Sequence, residues 1–260
     1  MSSTKTVAFF GATGDCAGYC LAAALNAGYD CIALARTPSK LTASQKAKGV
    51  STQALDSHLT IIEGNVKDVA AVKRTLSFNG KMVDTIVSGI GGTPALQWSL
   101  WQPVTLTDTT ICQDAGAAIL QASTEIARET KAASKPAFIN VSTTGIPAPG
   151  APRDVPLVFL PFYRWALHVP HVDKEVLERK LREYVQLPEN ERGLSAYVNI
   201  KPSLLMDGAG RGLQVIRSGN DEKPAVGYTI QRKDVGEFMF EKLVKGVPAE
   251  WRNKSVSITY

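Results

Sequence analysis

The stretch that most constrains this chain is Phe10-Gly11-Ala12-Thr13-Gly14-Asp15-Cys16-Ala17-Gly18, set between the apolar run Thr6 to Phe10 and the alanine-rich segment Ala17 to Asn26. A strand that stops on glycine, turns within a few residues and enters a helix aims backbone N–H groups and a helix N-terminus at a phosphate. In that placement Gly11 makes the tight turn and Gly14 lets the backbone approach a pyrophosphate, with Thr13, Asp15 and Cys16 bordering it. Ala17 stands where a third glycine would, a position that mediates helix packing. A glycine turn without a ligand is the alternative. Gly28 falls where the helix would terminate.

Beyond this unit the apolar pattern alternates. Cys31 to Ala35 and Leu59 to Glu63 read as the next strands, and Asp68 caps a helix over Val69 to Ser77. A strand at Val83 to Ser88, a long helix at about Thr110 to Ala133 and a strand at Ala137 to Ser142 follow. After them come a helix at about Asp173 to Val185 and a strand at Ala196 to Lys201. Six or more strands alternating with helices predict an α/β fold with a Rossmann-type, doubly wound parallel sheet. The last third, with short strands at Leu213 to Arg217 and Ser255 to Thr259 and a helix from Asp234 to Val244, reads as a small C-terminal part capping the carboxyl edge of the sheet, where ligands bind. We expect one domain over residues 1–260, with substrate-side loops at about 143–172 and 203–232. Thr143 to Pro161 holds five prolines and cannot be regular throughout.

Composition excludes several classes. The 260 residues are 44% hydrophobic and 20% charged, which rules out disorder and a coiled coil. No apolar run approaches the roughly 18 residues that cross a bilayer, and Met1 to Lys5 precede no signal-peptide core, so a cytoplasmic protein without membrane partners is expected. Cys16, Cys20, Cys31 and Cys112 form no CxxC pair, and buried or near-site thiols are the plain reading. The net charge of +5 is spread along the chain, which argues against nucleic acid and suits an anionic small ligand. His168 and His171 sit three apart with Asp173 nearby, but no third and fourth ligand is evident, so no metal is expected.

After the second strand, where an acid would hold the ribose 2′-hydroxyl of NAD, the chain reads Ala35-Arg36-Thr37-Pro38-Ser39-Lys40. Arg36 and Lys40 suit a 2′-phosphate and predict NADP(H); two solvated cations beside a helix are the alternative.

Four segments together resemble a known family. Gly11-Ala-Thr-Gly14 with Ala17, Leu34-Ala-Arg-Thr-Pro-Ser-Lys40, Gly64-Asn-Val-Lys-Asp68 and Asn140-Val-Ser-Thr143 make nearly the whole chain similar to the atypical short-chain dehydrogenase/reductases of the NmrA-like group. The resemblance implies that Asn65 and Val66 border the adenine and that Ser88 to Gly92, including Gly89, Ile90 and Gly91, runs past the cofactor ribose. In the ordinary family a Ser, a Tyr and a Lys carry a carbonyl reduction: the Tyr gives the proton, and the Lys lowers its pKa and holds the nicotinamide ribose. Ser142 or Thr143 takes the serine place and Lys174 the lysine place. Pro170 stands where the tyrosine belongs, and proline has no proton to give.

That departure makes the chain resemble a smaller fungal subset, the NADP(H)-dependent reductase and Diels–Alder enzymes of prenylated indole alkaloid biosynthesis, which build a bicyclic diazaoctane core. The resemblance implies a secondary-metabolism enzyme, monomer or homodimer, that promotes a stereoselective intramolecular cycloaddition of a prenylated indole substrate. Arg128 and Tyr163 would polarise or protonate the azadiene, Asp154 is the nearest loop acid, Lys174 would hold the ribose, and Trp165, Trp98 and Trp101 would wall the pocket. A solvated Arg128 and tryptophans used for packing are the plain alternatives. Two other functions stay open: an NADPH-dependent reductase of an iminium or carbonyl, and an NmrA-like NADP-binding redox sensor.

Overall fold

The run Thr-Val-Ala-Phe-Phe forms β1 (Thr6–Phe10), and its alternate side chains enter two different cores. Val7 and Phe9 pack on one face of the sheet, Ala8 and Phe10 on the other. A strand covered on both faces needs a continuous apolar run, which is why the period-two signal is absent here. The computed structural model describes residues 5–92, 94–96, 104–131, 134–159 and 168–260.

The first half comprises α1 (Asp15–Asn26), β2 (Asp30–Ala35), α2 (Pro38–Ala47), α3 (Thr52–His58), β3 (Leu59–Glu63) and α4 (Val69–Thr75). A small hairpin of β4 (Ser77–Phe78) and β5 (Lys81–Met82) leads to β6 (Thr85–Ser88). An antiparallel pair, β7 (Pro94–Leu96) and β8 (Val104–Leu106), precedes α5 (Ile111–Thr130) and β9 (Ala137–Val141). The remainder holds α6 (His168–Tyr184), β10 (Ala196–Pro202), β11 (Leu204–Met206), β12 (Arg217–Asn220), β13 (Thr229–Gln231), α7 (Arg232–Met239) and β14 (Lys254–Thr259).

Eight strands form the main sheet in the order β12-β14-β10-β9-β6-β1-β2-β3, every pairing parallel except β12 with β14. The fold is therefore a Rossmann-type α/β fold. The order reverses direction between β1 and β6, and a crevice opens at their carboxyl ends.

Sequence and structure part company at several elements. Two helices, α2 and α3, fill a stretch in which no element was assigned; Pro38 at the first helical position and the Ser51 hydroxyl accepting from Ala54 N–H at 3.1 Å start them. The helix expected from Asp173 begins at His168, because Pro170 sits in its first turn, where a missing N–H costs nothing. The stretch 203–232 is not simply a loop: it carries β11, β12 and β13. The C-terminal part is likewise more than a cap, since β12 and β14 extend the main sheet and α7 lies against α1. There a Cβ on Gly236 would fall 2.6 Å from the Cys16 carbonyl oxygen, so only glycine allows the approach.

Asp173, weighed in the sequence as a metal ligand, is buried and accepts from the backbone N–H groups of Cys112 at 2.8 Å and Gln113 at 2.9 Å. Its carboxylate thus caps α5 from α6 and fixes the two helices around the crevice. Asp173→Ala strands two donors at a helix start, and we expect a loss of about 2 kcal/mol, read as a lowered urea midpoint with unchanged m-value.

Candidate functional site

Gly14 is the N-cap of α1, and no side chain caps that end. The first-turn N–H groups therefore face the crevice. Gly11, with φ at +73°, turns the chain so tightly that a Cβ would stand 2.8 Å from the carbonyl carbon of Gly89. Ala17 packs where the third glycine would: a Cβ on Gly89 would lie 2.6 Å from the Ala17 methyl, so only small residues fit.

Two cavities meet at Gly14 and at Gly89 to Gly91. One, about 360 Å³, is lined by Gly11, Thr13, Arg36, Lys40, Asn65 and Val66, among others. Among the described residues no carboxylate pairs with Arg36 or Lys40, which are exposed at its rim. On its other side Lys67 lies 2.9 Å from Asp108 and 2.8 Å from Asp114, tying the loop after β3 to the start of α5. Hydrogen bonding to these carboxylates holds the Lys67 ammonium above the usual lysine range, and the lysine in turn holds both carboxyls below theirs. An uncapped helix start, a glycine approach and two unpaired cations form a donor set that fits a dinucleotide carrying a 2′-phosphate.

The second cavity, about 350 Å³, has largely apolar walls: Ile90, Val141, Pro170, Pro202, Leu204 and Leu205. Its polar lining includes Asp15, Cys16, Ser142, Thr143, His171, Lys174 and Arg232. Lys174 Nζ donates to the Val141 carbonyl at 2.8 Å, which fixes the ammonium at the carboxyl end of β9. His171 lies three residues earlier on α6, one turn away on the same face. Arg232 enters from the start of α7, its Nη1 held 2.6 Å from Asp207. Burial pushes the Cys16 thiol up to about 12, against the pull of Arg232 and Lys174, so it is neither nucleophile nor acid at neutral pH.

Behind this wall lies a buried polar cluster. Asn140 and Ser142 on or after β9, and Asn199 and Lys201 on β10, face α6, where an apolar stripe is the default. Asn140 Nδ2 donates to Asn199 Oδ1 at 3.0 Å, and Lys201 Nζ lies 3.0 Å from Glu178 Oε2. Burial pushes the Glu178 carboxyl above the usual glutamate value, opposed by Lys201, Ser142 and Arg182.

Of the residues expected from the sequence, Gly11, Thr13, Gly14, Asp15, Cys16, Arg36, Lys40, Asn65, Val66, Gly89, Ile90, Gly91, Ser142 and Lys174 all line one or both cavities. Two others do not join them. Arg128 is exposed in the last turn of α5, whereas Ile111 at the start of that helix lines the first cavity. At about 1.5 Å per residue the arginine lies roughly 25 Å away along the axis, toward the opposite edge of the sheet. Asp154 is buried, but it clasps the proline-rich loop by accepting from Gly145 N–H at 2.9 Å, and it borders a separate small hollow beside Ser255 and Ser257. Tyr163, Trp165, Trp98 and Trp101 lie outside the described residues. Sequence reasoning missed His171 as a cavity residue, together with Arg232, Glu178 and Lys201. The helical spacing of His171 and Glu178 from Lys174 was the signal available for the two on α6.

Residues 11–245 match a family model described as NAD(P)H-binding. The chain is 47% identical to the protein named reductase pytE of Aspergillus terreus, covering 100% of each, and 34% identical to the protein named oxidase pynE of Aspergillus niger, covering 99% of each. Among solved structures it is similar to a short-chain dehydrogenase/reductase of Veillonella parvula, with a TM-score of 0.67, 14% identity and coverage of 98% of this chain and 94% of that one. The same bacterial protein's complex with NADP superposes with a TM-score of 0.65, again at 14% identity and with 98% and 94% of the two chains covered.

With Arg36 and Lys40 the only cations proposed for the 2′-phosphate, Arg36→Ala is expected to weaken NADPH binding by about tenfold or more while moving NADH affinity less than about twofold. Titrating nicotinamide fluorescence with both cofactors checks this; equal losses for the two would remove the assignment.

Proposed function

The chain belongs to the NAD(P)H-binding family, and from that premise we propose that it is an NADP(H)-dependent oxidoreductase of fungal secondary metabolism acting on a small, largely apolar molecule held in the second cavity. The observation that carries the reading is the placing of His171 and Lys174, one helical turn apart, on the wall of the second cavity, which meets the first at Gly14 and at Gly89 to Gly91. Relatives named as a reductase and an oxidase support hydride chemistry in either direction.

When bound, the cofactor supplies or accepts a hydride; the protein's part is to bind, orient and manage a proton. Lys174, anchored on Val141 O, keeps a positive charge at the carboxyl end of β9, suited to a ribose hydroxyl and to the charge that develops on a reduced carbonyl. His171 is the cavity's proton donor in place of the tyrosine that the resemblance expects at Pro170, because its imidazole lines the cavity one turn from Lys174. Ile90, Val141, Leu204 and Leu205 give the rest of the cavity an apolar surface for the substrate.

Cycloaddition, as the resemblance has it, asks Arg128 to act on the substrate. Arg128 stands at the far end of α5, and Tyr163 and Trp165 lie outside the described residues. Hydride transfer to a carbonyl or an iminium needs only groups that line the cavity, and it is the reading we put forward.

The test is NADPH consumption against a panel of cyclic imines and ketones, with product counted per cofactor oxidised. His171→Gln is expected to lower kcat for carbonyl substrates by about a hundredfold or more, to leave NADPH affinity within about twofold, and to spare iminium substrates, which arrive already charged. Product formed without any NADPH oxidation would return weight to cycloaddition, and an undiminished kcat in His171→Gln would remove the histidine from the mechanism.

A further inference from the structure

Ser142 lines the apolar cavity, yet its hydroxyl proton is used behind the cavity wall. Oγ donates to Glu178 Oε1 at 2.5 Å, at the short end of the range for a hydroxyl on a carboxylate. A serine has one proton and two lone pairs. Once the proton is committed to Glu178, only acceptor capacity is left on Oγ.

The direction of this bond is set from the other side of the carboxylate. Glu178 is fully buried on α6, and its Oε2 lies 3.0 Å from Lys201 Nζ and 3.7 Å from Arg182 Nη1. The lysine is itself buried on β10, paired with the carboxylate as an ion and donating to the Ile146 carbonyl. An ammonium and a guanidinium can only donate, so the carboxyl beside them stays an acceptor at both oxygens. A hydroxyl that is to stabilise a carbonyl oxygen must donate to it, and this one is held the other way.

We infer that Glu178, held by Lys201, fixes the Ser142 hydroxyl so that the cavity presents an acceptor there and selects ligands carrying an N–H or O–H donor: cyclic amines, their iminium forms, or enols. The inference rests on the reading of the second cavity as a substrate site and names the class that site takes. Glu178 is a positioning residue, acting through Ser142 and not on the ligand. The buried ion pair also explains why a polar stripe persists on β9 and β10. Replaced by apolar groups it would cost the fold little, but the serine would then be free to turn.

The experiment uses the NADP⁺-bound protein and two flat probes of similar size, indole, which only donates, and 1-indanone, which only accepts, with dissociation constants from calorimetric or NMR titration. Wild type is expected to bind indole about tenfold more tightly relative to 1-indanone than Ser142→Ala does, and Ser142→Thr, which keeps a hydroxyl, to restore the preference. In Glu178→Gln, Lys201 still demands an acceptor, so the amide oxygen faces the lysine and the amide N–H₂ faces Ser142. The hydroxyl then donates into the cavity, and the preference is expected to invert toward 1-indanone.

A preference unchanged in Ser142→Ala, a wild type that favours 1-indanone, or a Glu178→Gln protein that binds NADPH normally yet keeps the wild-type ratio would each overturn the inference. Should Glu178→Gln fail to fold, the two serine variants decide on their own. Failure of both probes to bind would remove the substrate cavity itself, a different result from two probes that bind without discrimination.

Discussion

Everything around the site depends on how closely the β1 turn approaches the end of β6. Gly11, in the left-handed region, lets the chain pass so near Gly89 that no side chain fits between them. The same turn delivers the start of α1 uncapped into the crevice. A helix whose first donors are left unmet by the protein is stable only with water or an anion at its end. The helix start thus offers an anion site as much as the loop does.

The two faces of the sheet are built on different terms. Toward α1 and α7 the contacts are apolar and close. Toward α6 the carboxyl ends of β9 and β10 carry Asn140, Ser142, Asn199 and Lys201, met by Glu178. Taking these groups out of water costs several kcal/mol per charge before pairing returns part of it. The arrangement gives the cavity wall a fixed polarity, because the buried charges leave Ser142 one orientation. On the same helix Asp173 caps α5, so α6 positions both a helix terminus and the polar wall through groups a few residues apart.

A proline where the family resemblance expects a tyrosine is less of a contradiction than it first looks. Pro170 occupies the opening turn of α6, where a proline suits the backbone, and His171 beside it lines the cavity. Reductions of substrates that are already cationic make small demands on an acid, whereas carbonyls make large ones. The placing of His171, Lys174 and Ser142 is consistent with a hydride enzyme whose proton chemistry has moved by one residue along its helix.

Much of this was legible in the chain itself. Alternating apolar segments and the glycine turn determine the parallel sheet, its switch point and the dinucleotide crevice, because strand, turn and helix signals are local and repeat. Arg36 and Lys40 were equally legible, standing at a fixed offset from a strand end. What lay beyond the sequence was distance between elements. Nothing in the order of residues tells that Arg128 ends up at the opposite edge of the sheet, since a helix of twenty residues has one end in the crevice and the other far from it. Nor does it tell that Asp154 clasps a loop or that Glu178 reaches Ser142 across 36 positions. Those pairings depend on the register of β9 with β10 and on how α6 lies over them, and side-chain partners across elements are decided only when the layers close.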